Sequence, residues 1–178
     1  MYAALTRMSA TENEPRIAIV DVDYRGDGAT AACVMADGWT AAVPGSEHTA
    51  RIGEVAPYVP GHFFERELPC LLAVLVQLPR PPDLVIIDGY VWLGEEQPGL
   101  GARLHEALGG AIPVVGVAKT RFHGAPAVEV RRGTSLRPLF VTTVGIDVEE
   151  AARAVTAMAG EHRVPTLLAR VDALARGR

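Results

Sequence analysis

The run "DLVIID" (83–88) constrains this chain most. Leu84 to Ile87 are all apolar, with no polar residue alternating among them. A short, unbroken apolar run reads as a strand covered on both faces, which belongs inside a sheet flanked by helices. Two further runs have the same character: "RIAIVDVDY" (16–24) and "IPVVGVAK" (112–119). Between and after them lie helical patterns: "HFFERELPCLLAVLVQL" (62–78, with Pro69 inside), "GLGARLHEALGG" (99–110), "DVEEAARAVTAMAG" (147–160, Asp147 as N-cap) and "VPTLLARVDALARG" (164–177).

The early part reads differently. "GATAACVMA" and "WTAAVP" are separated by Asp37-Gly38, a hairpin signal, so the first three strands are expected to be antiparallel and sequential. "SEHTARIGEVAPYVPG" (46–61) reads as a loop, and 127–143 as one or two more strands. The expected fold is therefore α/β: a mixed sheet, three antiparallel strands followed by parallel ones, with helices on both faces. The 178 residues suffice for one domain, placed at 16–178 behind an irregular N-terminal segment at 1–15. No run approaches a membrane span or a secretion signal. Cys33 and Cys70 read as two buried small apolar side chains, and the expected location is a reducing cytoplasm.

Carboxylates mark the element ends. Asp21 lies near the end of the first buried strand, and Asp88 ends the central one. If those strands are parallel neighbours, the two acids meet at one edge, and a glutamate of the 62–78 helix can join them. Confined carboxylates repel each other, and a hard divalent cation relieves the repulsion by taking their oxygens as ligands. The chemistry implied is metal-assisted hydrolysis of a phosphodiester. Asp ending a strand also commonly caps a helix or satisfies a turn, and Asp23 and Asp27 lie nearby. Spacing does not choose between Glu65 and Glu67, and Glu67 also reads as a solvated residue or a partner of Arg66. Lys119 is the only lysine in an arginine-rich chain. Its compact, rotatable ammonium does what a planar guanidinium cannot. The net charge of −4 argues against a protein that coats nucleic acid, though not against a nucleic-acid enzyme.

Four stretches together resemble endonuclease V, the nuclease that nicks DNA near deaminated adenine: "VDVDY" (20–24), "PYVPGHFFERE" (57–67), "PDLVIIDG" (82–89) and "IPVVGVAK" (112–119). The resemblance runs from about residue 16 to the C-terminus. It implies a ribonuclease-H-like fold and a metal, Mg2+ or Mn2+, bound by Asp21, Glu67 and Asp88. It also implies a catalytic Lys119, and cleavage at the second phosphodiester 3′ of the damaged base to leave a 3′-hydroxyl and a 5′-phosphate. It further implies a wedge, Pro57, Tyr58, Val59 and Pro60, that enters the space left by an extruded base, with Gly61 and Gly89 lining the base pocket by close backbone approach. Tyr58 also reads as a partly buried loop aromatic.

The match breaks after Asp88. Tyr90 and Gly94 stand where the family has histidines, and Glu95 and Glu96 replace Pro and Arg. A later Gly-His pair is absent at Gly145–Ile146. His62, His105 and His123 read as surface or helix residues rather than replacements. Arg66, Arg121, Arg131, Arg132 and Arg137 are candidates for phosphate contact, against a solvated surface role. The expected partner is DNA containing deaminated bases. The changed loop at 90–98 allows RNA or structured single strands instead, or a catalytically weak nucleic-acid-binding protein on the same fold.

Overall fold

The computed structural model describes residues 14–178, so most of the segment expected to be irregular at 1–15 lies outside the described residues. The elements run, in chain order, β1 (Arg16–Arg25), β2 (Gly28–Asp37), β3 (Ser46–Ile52), α1 (Phe63–Leu75), β4 (Leu84–Ile87), β5 (Trp92–Gly94), β6 (Gln97–Pro98), α2 (Leu100–Ala107), β7 (Val114–Ala118), β8 (Val128–Val130), β9 (Leu139–Val144), α3 (Val148–Ala157) and α4 (Thr166–Ala175). Among the described residues the main sheet has the order β3-β2-β1-β4-β7-β9-β8, and β5 and β6 form a separate small ribbon. Strands β1, β4 and β7 are parallel, while β2, β3, β9 and β8 pair antiparallel.

Alternation along β1 splits the core into two layers. Ile17 and Ile19 face α3 and α4, packing with Ala151, Val155, Leu168 and Val171. Ala18 and Val20 face α1 and α2, packing with Leu71, Val74 and Leu104. All four residues of β4 are buried, as a strand covered on both faces requires. Cys33 and Cys70 are free and buried, in keeping with their apolar character. Among the described residues no helix is long and apolar enough to cross a membrane.

Three expectations need correction. The segment "WTAAVP" is not a strand, and the third strand is β3, inside the stretch read as a loop. Asp37-Gly38 ends β2 but opens a longer connection, in which Trp39 packs onto the core and Pro44-Gly45 turns the chain. β3 is an edge strand with Ser46, Glu47, Thr49 and Arg51 exposed and only Ala50 buried, so it offers little apolar pattern to read. Arg170 of α4 grips it through Glu47, at 2.6 and 2.9 Å. Second, the sheet does not finish with parallel strands, because β9 and β8 return antiparallel. Third, Arg132 is neither a surface residue nor a phosphate contact. It is 5% exposed, and its guanidinium donates to the carbonyls of Thr156, Met158, Gly160, His162 and Arg163, fixing the α3–α4 connection. Asp147 does cap α3, its carboxylate accepting from the Glu150 N–H at 2.9 Å.

Removing that guanidinium strands the buried Met158 carbonyl and leaves four part-buried ones without their donor. Arg132→Met is expected to lower unfolding free energy by about 3 kcal/mol, while Arg131→Met, on an exposed neighbour, stays within about 0.5 kcal/mol. Urea denaturation of the two variants checks this.

Candidate functional site

Three neighbouring parallel strands each hand over to a charged residue at the same end of the sheet. The β1–β4 register pairs Val20 with Ile87, so Asp21 and Asp88 occupy the next positions on adjacent chains. Lys119 follows directly on β7, beside β4. This is the carboxyl end of the parallel strands, where open α/β sheets place their ligands. The Lys119 ammonium donates to Asp88 Oδ2 at 2.7 Å. Asp21, half-buried, accepts only from its neighbour, the Val22 N–H, at 2.8 Å. Burial pushes the Asp21 carboxyl up to about 6, and the charges of Asp88 and Asp172 add to the rise. Burial works against the charge on Lys119, but the Asp88 hydrogen bond and the surrounding carboxylates outweigh it and hold the ammonium above its usual range.

Glu67 reaches the same region from α1, on the opposite face of the sheet. It is 6% exposed, and its Oε2 has no hydrogen-bond partner among the described residues. Burial, followed by repulsion from Asp21 and Asp88, drives its carboxyl up to about 8. Glu65 is exposed and pairs with His62 at 2.9 Å. Helical spacing could not make that choice. Arg66 does not pair with Glu67. Its guanidinium lies 4.0 Å over the Tyr24 ring. The Tyr24 hydroxyl and Arg66 Nε are also buried without partners, so orphaned polar atoms gather around Glu67.

These residues suit a hard cation in their chemistry: oxygen donors, mutual repulsion and an unspent buried carboxylate oxygen. As the side chains stand, no group of three His, Cys, Asp or Glu among the described residues is close enough to hold one ion. Two features of the geometry account for this. Lys119 occupies one oxygen of Asp88, and Glu67 approaches across the sheet from Asp21. Sequence reasoning missed Asp172. This α4 residue acts on both Asp21 and Lys119, and it bonds Arg176 one turn on, at 3.0 Å. Nothing local distinguishes it from a solvated helix acid.

Next to the acids lies a cavity of about 390 Å³ whose lining includes Glu67 and Asp88. Gly61 and Gly89 line it too. Both have positive φ, 81° and 147°, and a Cβ on either would meet nothing within 4 Å. Glycine is therefore needed there for backbone conformation rather than for close packing. Tyr58 is 60% exposed on the rim, its ring edge-on to Phe63 at 6.3 Å, and Phe63 is edge-on to Tyr24 at the same spacing. Pro57, Val59 and Pro60 beside it are exposed as well.

The segment after Gly89 is firmly held. The Tyr90 hydroxyl donates to the Thr120 carbonyl at 2.7 Å and accepts from the Phe122 N–H at 2.9 Å. The Val91 N–H donates to Thr142 Oγ1 at 2.8 Å, and Trp92 Nε1 to the Thr143 carbonyl at 3.0 Å. Gly94 lies in β5, and Glu95 and Glu96 are exposed at the ribbon's tip. The histidines lie elsewhere: His62 and His123 are exposed, and His105 Nδ1 meets the Ile112 carbonyl at 2.7 Å. Arg121 pairs with Glu129 at 3.0 Å, and Arg131 and Arg137 are exposed. Sequence reasoning did not single out Phe64, Arg103 or Phe122 in the cavity wall; the fold alone brings them together.

A carboxyl raised on folding costs stability as pH rises. The unfolded Glu67 ionises at the ordinary 4.5, but the folded one resists until about 8. The folded state therefore binds the extra proton between those values, and stability falls across that window. In chelator, Glu67→Gln is expected to match wild type near pH 4.5 and to exceed it at pH 8 by on the order of 2 kcal/mol. Urea melts at the two pH values measure the difference.

Comparison with known proteins identifies the family and the fold. A family model described as Endonuclease V matches residues 2–143. An Endonuclease V of Streptomyces avermitilis is 37% identical over 186 aligned positions, spanning 90% of this chain and 79% of the relative. The crystal structure of Endonuclease V from Streptomyces avermitilis superposes with a TM-score of 0.77 at 31% identity, covering 93% of this chain and 81% of that one. Ciona intestinalis Endonuclease V, crystallised with a 24-mer DNA containing an inosine followed by a ribo-adenosine, gives a TM-score of 0.76 over 92% of this chain and 85% of that one. At 17% identity that last match speaks to the fold alone. With the match covering most of the sequence, this chain belongs to the endonuclease V family of nucleases.

Proposed function

We propose that this chain is a metal-dependent endonuclease of nucleic-acid repair. It opens DNA at a deaminated adenine and hydrolyses the second phosphodiester on the 3′ side, leaving a 3′-hydroxyl and a 5′-phosphate. One observation carries the reading: acids end two neighbouring parallel strands side by side, and one of them, Asp88, lines the same cavity as the buried Glu67. Family membership supports the reaction class, and the inosine-containing DNA bound by the Ciona intestinalis protein supports the substrate. Residues 16–178 act as the nuclease domain, in the cytoplasm, where two free buried cysteines stay reduced.

Asp21, Glu67 and Asp88 would hold Mg2+, or Mn2+ in its place. The cation supplies neutralisation of the acids and polarisation of the scissile phosphate. Lys119, now on Asp88, steadies charge developing on the phosphate. The charge of Asp172 favours the protonated forms of Asp21 and Lys119. The wedge of Pro57, Tyr58, Val59 and Pro60 fills the gap left by the extruded base. Its prolines limit the entropy lost on ordering, and Phe63 backs the tyrosine ring. A mispaired hypoxanthine leaves the stack at lower cost than a paired base, which favours damaged sites before any contact is made. Backbone groups at Gly61 and Gly89 line the receiving cavity.

One feature favours a second reading. Glu95 and Glu96 put two negative charges at the tip of the ribbon beside the cavity, where a duplex backbone would come close. That suits a nuclease for RNA or for structured single strands. A non-catalytic binding protein is the third possibility.

Nicking of inosine-DNA, inosine-RNA and unmodified controls in magnesium separates these readings. Inosine-DNA is expected to be cut fastest, and equal cutting of all three would remove the damaged-base claim. Asp88→Asn is expected to lower nicking by about 10³-fold, and a variant as active as wild type would remove the active-site assignment. Tyr58→Ala is expected to slow duplex cleavage about tenfold or more while sparing single strands.

A further inference from the structure

The cavity beside the acids contains a cation that no ion pair engages among the described residues. Arg103 lines it, one turn into α2. Its guanidinium carbon lies 3.6 Å from the centroid of the Phe64 ring, a stacked arrangement. Its Nε is buried without a hydrogen-bond partner. Among the described residues its side chain makes no ion pair, unlike Arg25, Arg121, Arg170 and Arg176. Arg103 is half-buried, and a buried donor such as Nε is costly to leave unpaired on an aromatic face unless a ligand completes it.

The helix that carries this arginine is fixed to the active-site loop. The Gly99 N–H donates to the Val91 carbonyl at 2.8 Å, and the Gly101 N–H to the Tyr90 carbonyl at 3.1 Å. A Cβ on Gly99 would lie 2.6 Å from the Tyr90 carbonyl oxygen, so only glycine allows this approach. Arg103 is therefore held at a set place relative to Asp88 and Gly89. Tyr90 and Phe122, ring centroids 6.0 Å apart, furnish apolar faces in the same cavity. Rings for stacking and a planar fork of donors suit a planar base with acceptors on its edge.

We propose that Arg103 reads the O6 and N7 acceptors of the extruded base, which makes the cavity selective for 6-oxopurines. This rests on the nuclease reading above. Arginine pairs bidentately with O6 and N7 of guanine, and hypoxanthine presents the same two acceptors. Adenine offers N7 beside an amino donor, which faces the guanidinium donor to donor. Deamination of adenine turns that donor into an acceptor, and this is the single change the fork detects. Phe64 fixes the plane of the fork, and a lysine could not reproduce that geometry.

The test compares cleavage of duplexes carrying hypoxanthine, 7-deazahypoxanthine (no N7) or unsubstituted purine (no O6) at one position, by wild type, Arg103→Met and Arg103→Lys. Arg103→Met keeps a side chain able to lie on Phe64 but removes every donor. It is expected to lose about 10- to 100-fold in kcat/KM on hypoxanthine and much less on either analogue. Differences in extrusion cost among the bases cancel in the variant-to-wild-type ratio. Arg103→Lys keeps the charge without the fork and retains at most part of the preference. A uniform loss on all three substrates would mean a phosphate contact or a structural role, and would overturn the assignment to the base edge while leaving the nuclease reading intact. A wild type that neither binds nor cuts hypoxanthine-containing DNA would overturn both.

Discussion

Two parallel strands that end side by side in aspartates set the terms for the rest of this molecule. The register from Ile17–Leu84 to Val20–Ile87 leaves Asp21 and Asp88 no way to separate. Apolar packing on both faces holds the strands, so the repulsion at their tips is imposed by the core. Lys119, on the third parallel strand, offsets part of it through its bond to Asp88. Glu67 then adds a third acid from the other face and receives no partner for Oε2 among the described residues. Clustered, poorly solvated carboxylates cost several kcal/mol, and a chain selected for stability alone would have replaced them. Perturbed acids beside a cavity are what a reaction centre requires.

The first turns of α1 tie that centre to its surroundings. Phe63 backs Tyr58 at the rim, Phe64 stacks under Arg103 in the cavity, and Glu67 projects toward the acids. Phe63 and Glu67 are four residues apart and share a helix face, while Phe64 turns off it. A tilt of this one helix would therefore move the wedge support, the cavity wall and one acid together. Tyr24 links the same set from β1, with Phe63 at its edge and Arg66 over its face. On the proposed function, intrusion of the wedge and assembly of the acids are mechanically coupled through α1.

What was legible in the sequence was local. Unbroken apolar runs gave the parallel strands, Asp147 gave a helix start, and the positions of Asp21 and Asp88 followed from strand ends. Whatever depended on distant partners was hidden. β3 reads as a loop because, with only Ala50 buried, it offers little apolar pattern, and its outward Glu47 finds its reason in Arg170, far along the chain. Adjacent arginines at 131 and 132 look alike in sequence, yet one is exposed and the other holds five carbonyls. Glu67 could be told from Glu65 by resemblance but not by spacing. Asp172 and Arg103 sit on ordinary amphipathic helices, and each gains its meaning only from what the sheet and the loop after Asp88 bring near it.

The altered loop is best understood by separating its rim from its base. Its base is clamped: Val91 by Thr142, Trp92 by Thr143, and α2 by glycine-mediated contact with Tyr90 and Val91. Its rim, Gly94 to Glu96, is solvent-facing and bears none of those bonds. Two glutamates at the rim, Glu95 and Glu96, set a negative charge before any approaching backbone. The positions of Asp88, Gly89 and Arg103 depend on the base alone. Tyr90, where a histidine stands in the family, keeps the loop closed through Thr120 and Phe122 without any titrating group. On the proposed function, a change at the rim would alter which strand is admitted while leaving the strand-end acids and the cavity in place. Selection at the rim and chemistry at the strand ends would then be free to vary separately.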